Sequence, residues 1–171
     1  MALLWLGCGS SGAAEGGGYA STPGYGGSQQ IRFGPGGRVF GENFELTTTE
    51  DGYRGMLHGE LMTMQSQDGS RITGSSGGSP IDLHVEIDGP TIRASGMFAA
   101  RLGRLQLDAV ALNSTFGRCS WQLQRRQGRL YVGQRACSDG HVAPAEVEMA
   151  AELIKLPPHR LVMLLATLMY L

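Results

Sequence analysis

The stretch Ile81-Asp82-Leu83-His84-Val85-Glu86-Ile87-Asp88 alternates apolar and polar residues without a break, and Gly89-Pro90 follows it at once. Period-two alternation puts Ile81, Leu83, Val85 and Ile87 on one side of an extended chain and the acids with His84 on the other, so the segment reads as a half-buried strand. Gly-Pro then turns the chain. A sheet wet on one side is antiparallel, because parallel sheets are covered on both faces. Working outward, the segments 38–47, 53–64, 91–98, 104–112, 119–125 and 130–136 show similar short alternations between Gly, Asp, Asn and Ser clusters, giving about eight strands in all. A glycine soon after a β-type pair recurs at Ile72-Thr73-Gly74, Ile92 to Gly96 and Tyr131-Val132-Gly133, a rhythm that suits a meander. The expected fold is mainly β, an antiparallel meander forming a small sandwich or barrel.

Composition agrees with this reading. The 27 glycines among 171 residues, about twice the usual share, disfavour a helical bundle and supply tight turns. Apolar residues at 42% allow a genuine core, and the length falls short of the roughly 250 residues of an α/β barrel. A net charge of -1 gives no bulk attraction to nucleic acid, which is not expected as a partner. Locally the charge is uneven: residues 1–90 hold 4 Arg and 10 acids, whereas 91–140 hold 8 Arg and 2 acids. That split either draws an acidic partner or surface glycan to the Arg-rich half or pairs the two halves within one sheet.

The two ends differ from the middle. Residues 9–29 are Gly/Ser-rich with almost no charge, a disordered tether with a root-mean-square span of about 25 Å. The β domain is expected over 30–140. From Pro144 to Leu156 the sequence is rich in Ala and Glu and reads as helix, Pro157-Pro158 breaks it, and residues 160–171 are apolar apart from Arg160 and Thr167. The second helix would be about 18 Å long, too short for a bilayer core of about 30 Å. The span 144–171 is thus expected as a helical hairpin packed on the β domain, with a dimer contact or a membrane-surface segment as alternatives for its apolar helix.

Three cysteines are an odd number, and Cys8 stands apart from Cys119 and Cys137. The opening Leu4-Trp5-Leu6-Gly7-Cys8, followed by Gly9-Ser10-Ser11-Gly12, resembles the lipobox of bacterial lipoproteins, whose cysteine becomes the lipidated N-terminus. Residues 1–8 then stand for the end of a signal peptide, completed by a start upstream of Met1. The resemblance implies lipidation at Cys8, export, and a membrane anchor at the bacterial envelope, at the outer membrane. It also implies an oxidising compartment, in which a Cys119–Cys137 disulfide follows. The segment Gly117-Arg118-Cys119-Ser120-Trp121-Gln122-Leu123 with Tyr131-Val132-Gly133-Gln134-Arg135-Ala136-Cys137 likewise resembles a paired motif of secreted bacterial lipoproteins that brings no assigned activity. A hairpin closed by Gln127-Gly128-Arg129 sets Cys119 opposite Cys137, Trp121 opposite Arg135 and Leu123 opposite Gly133. A two-residue loop would offset the cysteines by one, so a disulfide selects the first register or a bulge that mimics it.

Signals for chemistry are sparse. His58-Gly59-Glu60 and His84-Val85-Glu86 are His-x-Glu triplets; on paired strands His58, Glu60, His84 and Glu86 could converge as metal ligands of a hydrolase. The opposite reading is a solvated sheet surface and no metal. No Gly-x-Ser-x-Gly elbow, phosphate loop, His-Glu-x-x-His helix or Cys-x-x-Cys pair is expected anywhere in the chain. No cofactor is expected. The leading reading is a non-catalytic structural or binding module whose polar strand faces meet an envelope protein or glycan. A small-ligand-binding β-barrel and the metal-dependent hydrolase are the alternatives.

Overall fold

A computed structural model describes residues 31–170, so Cys8 and the tether at 9–29 lie outside the described residues. The strands are β1 (Arg32–Phe33), β2 (Arg38–Phe40), β3 (Phe44–Thr48), β4 (Gly52–Leu57), β5 (Glu60–Gln65), β6 (Arg71–Ser76), β7 (Ser79–Asp88), β8 (Thr91–Phe98), β9 (Arg101–Leu107), β10 (Ala111–Ser114), β11 (Cys119–Arg125), β12 (Leu130–Cys137) and β13 (Val142–Glu148). Each pairs antiparallel with the next in one sheet ordered β1 to β13. The pairing does not return from β13 to β1, so this is one open meander, neither a closed barrel nor two separate sheets.

Thirteen strands replace the expected eight: short turns interrupt three of the segments read as single strands, and β1, β6 and β13 lie outside those segments. Gly41 to Asn43 divides 38–47, His58-Gly59 divides 53–64, and Asp108 to Val110 divides 104–112. The second of these is a two-residue hairpin loop with positive φ at both positions, 51° at His58 and 81° at Gly59. Such a loop twists in the same sense as the strands it joins. Inside strands the scarcity of side-chain bulk also has a purpose. A Cβ on Gly74 would lie 1.9 Å from the Thr63 carbonyl oxygen, and one on Gly133 would lie 2.0 Å from that of Gln122. Neighbouring strands approach too closely there for any side chain, as a strongly coiled sheet requires.

The helical expectation for 144–156 is corrected. Residues Val142–Glu148 form β13, paired with β12 from Leu130↔Glu148 to Ala136↔Val142. Ala143, Ala145 and Val147 are buried while Pro144 and Glu148 are exposed, so burial has period two and cross-strand packing overrides the helix propensity of Ala and Glu. Pro144 fits because β13 is the last strand of the sheet, where a missing N–H can face away from the ladder. Helix is confined to α1 (Ala151–Ile154) and α2 (Pro158–Met169). The Pro157-Pro158 break holds, with Pro158 opening α2, where its fixed φ suits a first helical turn. In place of a full helical hairpin there is one short turn and one helix.

Helix α2 explains how a single sheet can be stable. All residues from Leu161 to Met169 are buried, and the helix contacts β4, β6, β7 and β8. Around it the inner face of the sheet contributes Leu46, Ile72, Leu83, Leu105, Leu112 and Trp121 to one continuous core. Arg160 donates to the carbonyls of Thr49 and Glu50 and lies over the Tyr53 ring, 5.6 Å from its centroid. At the other end the Trp121 indole N–H donates to the Met169 carbonyl at 3.3 Å, and the Tyr170 hydroxyl donates to that of Ala99 at 3.3 Å. Polar contacts thus tie both ends of the helix to the sheet.

The stretch Ile81 to Asp88 behaves as its pattern requires, with one difference. Ile81, Leu83 and Val85 are buried, but Ile87 is 59% exposed. It pairs with Ile92 close to the Gly89-Pro90 turn, at the tip of the hairpin.

Candidate functional site

The disulfide hairpin comes first because it fixes a register. Cys119 and Cys137 are bonded, with Cα atoms 3.9 Å apart, and their strands pair with Trp121 opposite Arg135 and Leu123 opposite Gly133. The Arg135 guanidinium lies over the Trp121 ring at 5.6 Å from its centroid. Trp121 and Leu123 turn inward, so Ser120, Gln122 and Gln124 turn outward.

Carrying the register across the neighbouring strands lines up one row on the outer face. Glu86 pairs with Arg93, Arg93 with Gln106, Gln106 with Asn113, Asn113 with Gln122, and Gln122 with Gln134. Six adjacent strands, β7 to β12, therefore each contribute one polar side chain, and four of these in succession are carboxamides. At the usual strand separation the row is about 24 Å long. It runs through a groove of about 900 Å³ that also includes Ser95, Arg104, Thr115, Ser120 and Arg126.

Local hydrogen bonds hold parts of this surface in place. The Thr115 N–H donates to the Arg104 carbonyl at 2.9 Å and the Arg104 N–H to the Thr115 Oγ1 at 3.2 Å. Beyond Gln106, the Asp108 carboxylate accepts the N–H groups of Val110 and Ala111, each at 2.8 Å. These donors, with the Gln106 amide at 3.3 Å, hold Asp108 below the usual carboxylate range, against a smaller opposing effect of desolvation.

Charge in the groove is mostly positive. Arg93 reaches Asp88 at 3.4 Å, whereas Arg104 and Arg126 make no ion pair among the described residues. In the acid-rich half two arginines pair within that half, as Arg38–Glu45 and Arg71–Asp82. The Arg-rich half keeps cations on its surface, Arg104 and Arg126 among them, without an ion pair among the described residues.

The two His-x-Glu triplets do not meet. His58 lies in the β4–β5 turn and Glu60 begins β5, so the first triplet does not share a strand face. The registers of β5 to β7 put His84 about 23 Å farther along the sheet than Glu60. His84 and Glu86 approach each other on the exposed face of β7, with Nε2 and Oε1 3.6 Å apart. Among the described residues no group of three or more His, Cys, Asp or Glu side chains could hold a metal ion.

Two further arrangements resemble catalytic motifs and lack their geometry. The spacing Gly-x-Ser-x-Gly does occur, from Gly74 to Gly78, but it forms the β6–β7 hairpin with Ser76 buried, and no helix follows. A nucleophile elbow is a strand-to-helix turn that exposes its serine. Ser95 stands opposite His84 across β7 and β8, yet no hydrogen bond joins their side chains among the described residues.

No known protein family, curated protein or solved structure matches the chain. The inner side of the sheet is occupied by α2, and the hollow beside Thr167, Leu168 and Tyr170 is only about 10 Å³, at the lower limit for one water. No helix among the described residues is long and apolar enough to cross a membrane. The outer groove was missed by sequence reading. Its only local signal is that Ser120, Gln122 and Gln124 alternate with Cys119, Trp121 and Leu123; the row itself emerges only from five successive strand registers.

Proposed function

We propose that the protein is a non-catalytic binding module, held at the bacterial envelope through a lipid on Cys8, and that it meets its partner through the groove on the outer face of β7 to β12. The observation that carries this reading is the unbroken run Gln106, Asn113, Gln122 and Gln134 across four paired strands. Each carboxamide offers two donors and an acceptor, and most of this set faces water: Asn113, Gln122 and Gln134 are exposed and Gln106 is half-buried. A rigid sheet backed by α2 keeps these groups in fixed order, which lowers the ordering cost of binding. The backbone N–H groups between the strands are used by the ladder, so the surface supports recognition better than stabilisation of an oxyanion.

An envelope extract titrated into the ¹⁵N-labelled full chain should shift the amide signals of β8 to β12 and leave those of β3 to β5 in place. Unshifted groove signals would overturn the reading. The anchor has its own test: in a bacterial host, with an upstream start supplying a full signal peptide, the protein should partition into detergent and incorporate palmitate, and Cys8→Ala should lose both. Labelling retained in that variant would contradict lipidation at Cys8.

A further inference from the structure

Building on the binding reading above, we infer that the groove takes an acidic polysaccharide lying along the row of side chains, across the strands. Repeat, chemistry and charge point the same way. Adjacent strands are about 4.8 Å apart, close to the rise per sugar in an extended β-linked glycan, so the row from Arg93 to Gln134 presents about one planar polar group per sugar unit. Carboxamides can accept from and donate to neighbouring hydroxyls, and guanidinium groups pair with carboxylates in a fork.

Charge decides between neutral and acidic chains. Arg93, Arg104 and Arg126 line the groove against a single carboxylate, Glu86, at its β7 end. Arg104 sits beside the row near Thr115, and Arg126 follows the end of β11. By strand register they stand on opposite sides of the amide row, about 20 Å apart along the strand direction. Cations on both sides of the row can meet carboxylates that project to either side of a chain lying along it. Aromatic side chains, the usual platforms for nucleobases, are not presented here; Trp121 faces the core. A single-stranded nucleic acid would find cations and no stacking surface.

Binding of the full chain to an alginate oligomer and to a neutral dextran oligomer of equal length tests this directly. Alginate should bind and dextran should not. Arg104→Gln with Arg126→Gln should weaken alginate binding by about tenfold or more, as should Asn113→Ala with Gln122→Ala, while Arg54→Gln on the far outer face should change it little. Thermal midpoints should stay the same in all variants, since every altered side chain is exposed. Equal binding of dextran, or undiminished alginate binding by either double variant, would overturn the acidic-glycan assignment, as would equal weakening by Arg54→Gln. If alginate leaves the groove unaffected while the envelope extract still shifts it, the assignment fails and the binding reading stands; if neither acts on the groove, both fail. A protein or nucleic-acid component of the extract as the sole source of those shifts would likewise contradict the glycan.

Discussion

Deleting residues 157–171 is expected to yield a protein that aggregates and binds hydrophobic dyes. The deletion removes α2, whose residues from Leu161 to Met169 are all buried. Full burial of each large apolar side chain contributes roughly 1.5–3 kcal/mol, and α2 carries seven of them: Leu161, Val162, Met163, Leu164, Leu165, Leu168 and Met169. Their combined contribution is comparable with the whole net stability of a typical domain, about 5–15 kcal/mol. The truncated chain would expose Leu46, Ile72, Leu83, Leu105 and Trp121 as one apolar surface. Sedimentation and dye binding check this. A truncated chain that stays monomeric with an unchanged unfolding midpoint would show that the helix is peripheral.

The second large effect concerns the bond between Cys119 and Cys137. Replacing both by serine should lower stability by about 3 kcal/mol on the chain-entropy account, less if the hairpin persists when reduced. In a domain of this size that corresponds to a fall in the thermal midpoint of roughly 6–12 °C. The register supports the expectation, because Cys119 and Cys137 are direct partners in the ladder and their Cα atoms are 3.9 Å apart. Mass spectrometry of non-reduced peptides should recover the bridge from exported protein. Two free thiols in that material, or a midpoint unchanged in the double variant, would contradict a stabilising disulfide.

What could be read from residues alone was what depends on near neighbours. Alternation identified β7 from Ile81 to Asp88, and the three-residue loop Gln127-Gly128-Arg129 set the register that pairs Trp121 with Arg135. The stop at Pro157-Pro158 was equally local. Two-residue turns were less visible: His58-Gly59 is embedded in an apolar-polar run that reads as one strand, and only the positive φ at both residues divides it. Residues 144–148 misled because Ala and Glu favour helices, whereas the partner strand Leu130–Cys137 decides their conformation. The all-round apolar character of α2 was evident, but a docked helix, a dimer contact and a membrane-surface segment share that pattern; a concave sheet distinguishes them, and its shape depends on contacts far apart in sequence. For the same reason the amide row was hidden. Gln106, Asn113, Gln122 and Gln134 are scattered in the chain and become neighbours only when three hairpins are in register.

That the outer face of β7 to β12 is the contact surface can be tested in the producing cell by replacing one outward residue at a time with a photoreactive amino acid. Gln122 lies in the middle of the row and Thr63 lies on the outer face of β5, away from the groove. Illumination should cross-link the Gln122 variant to an envelope component and leave the Thr63 variant free. Equal cross-linking at both positions, or none at Gln122, would contradict the account.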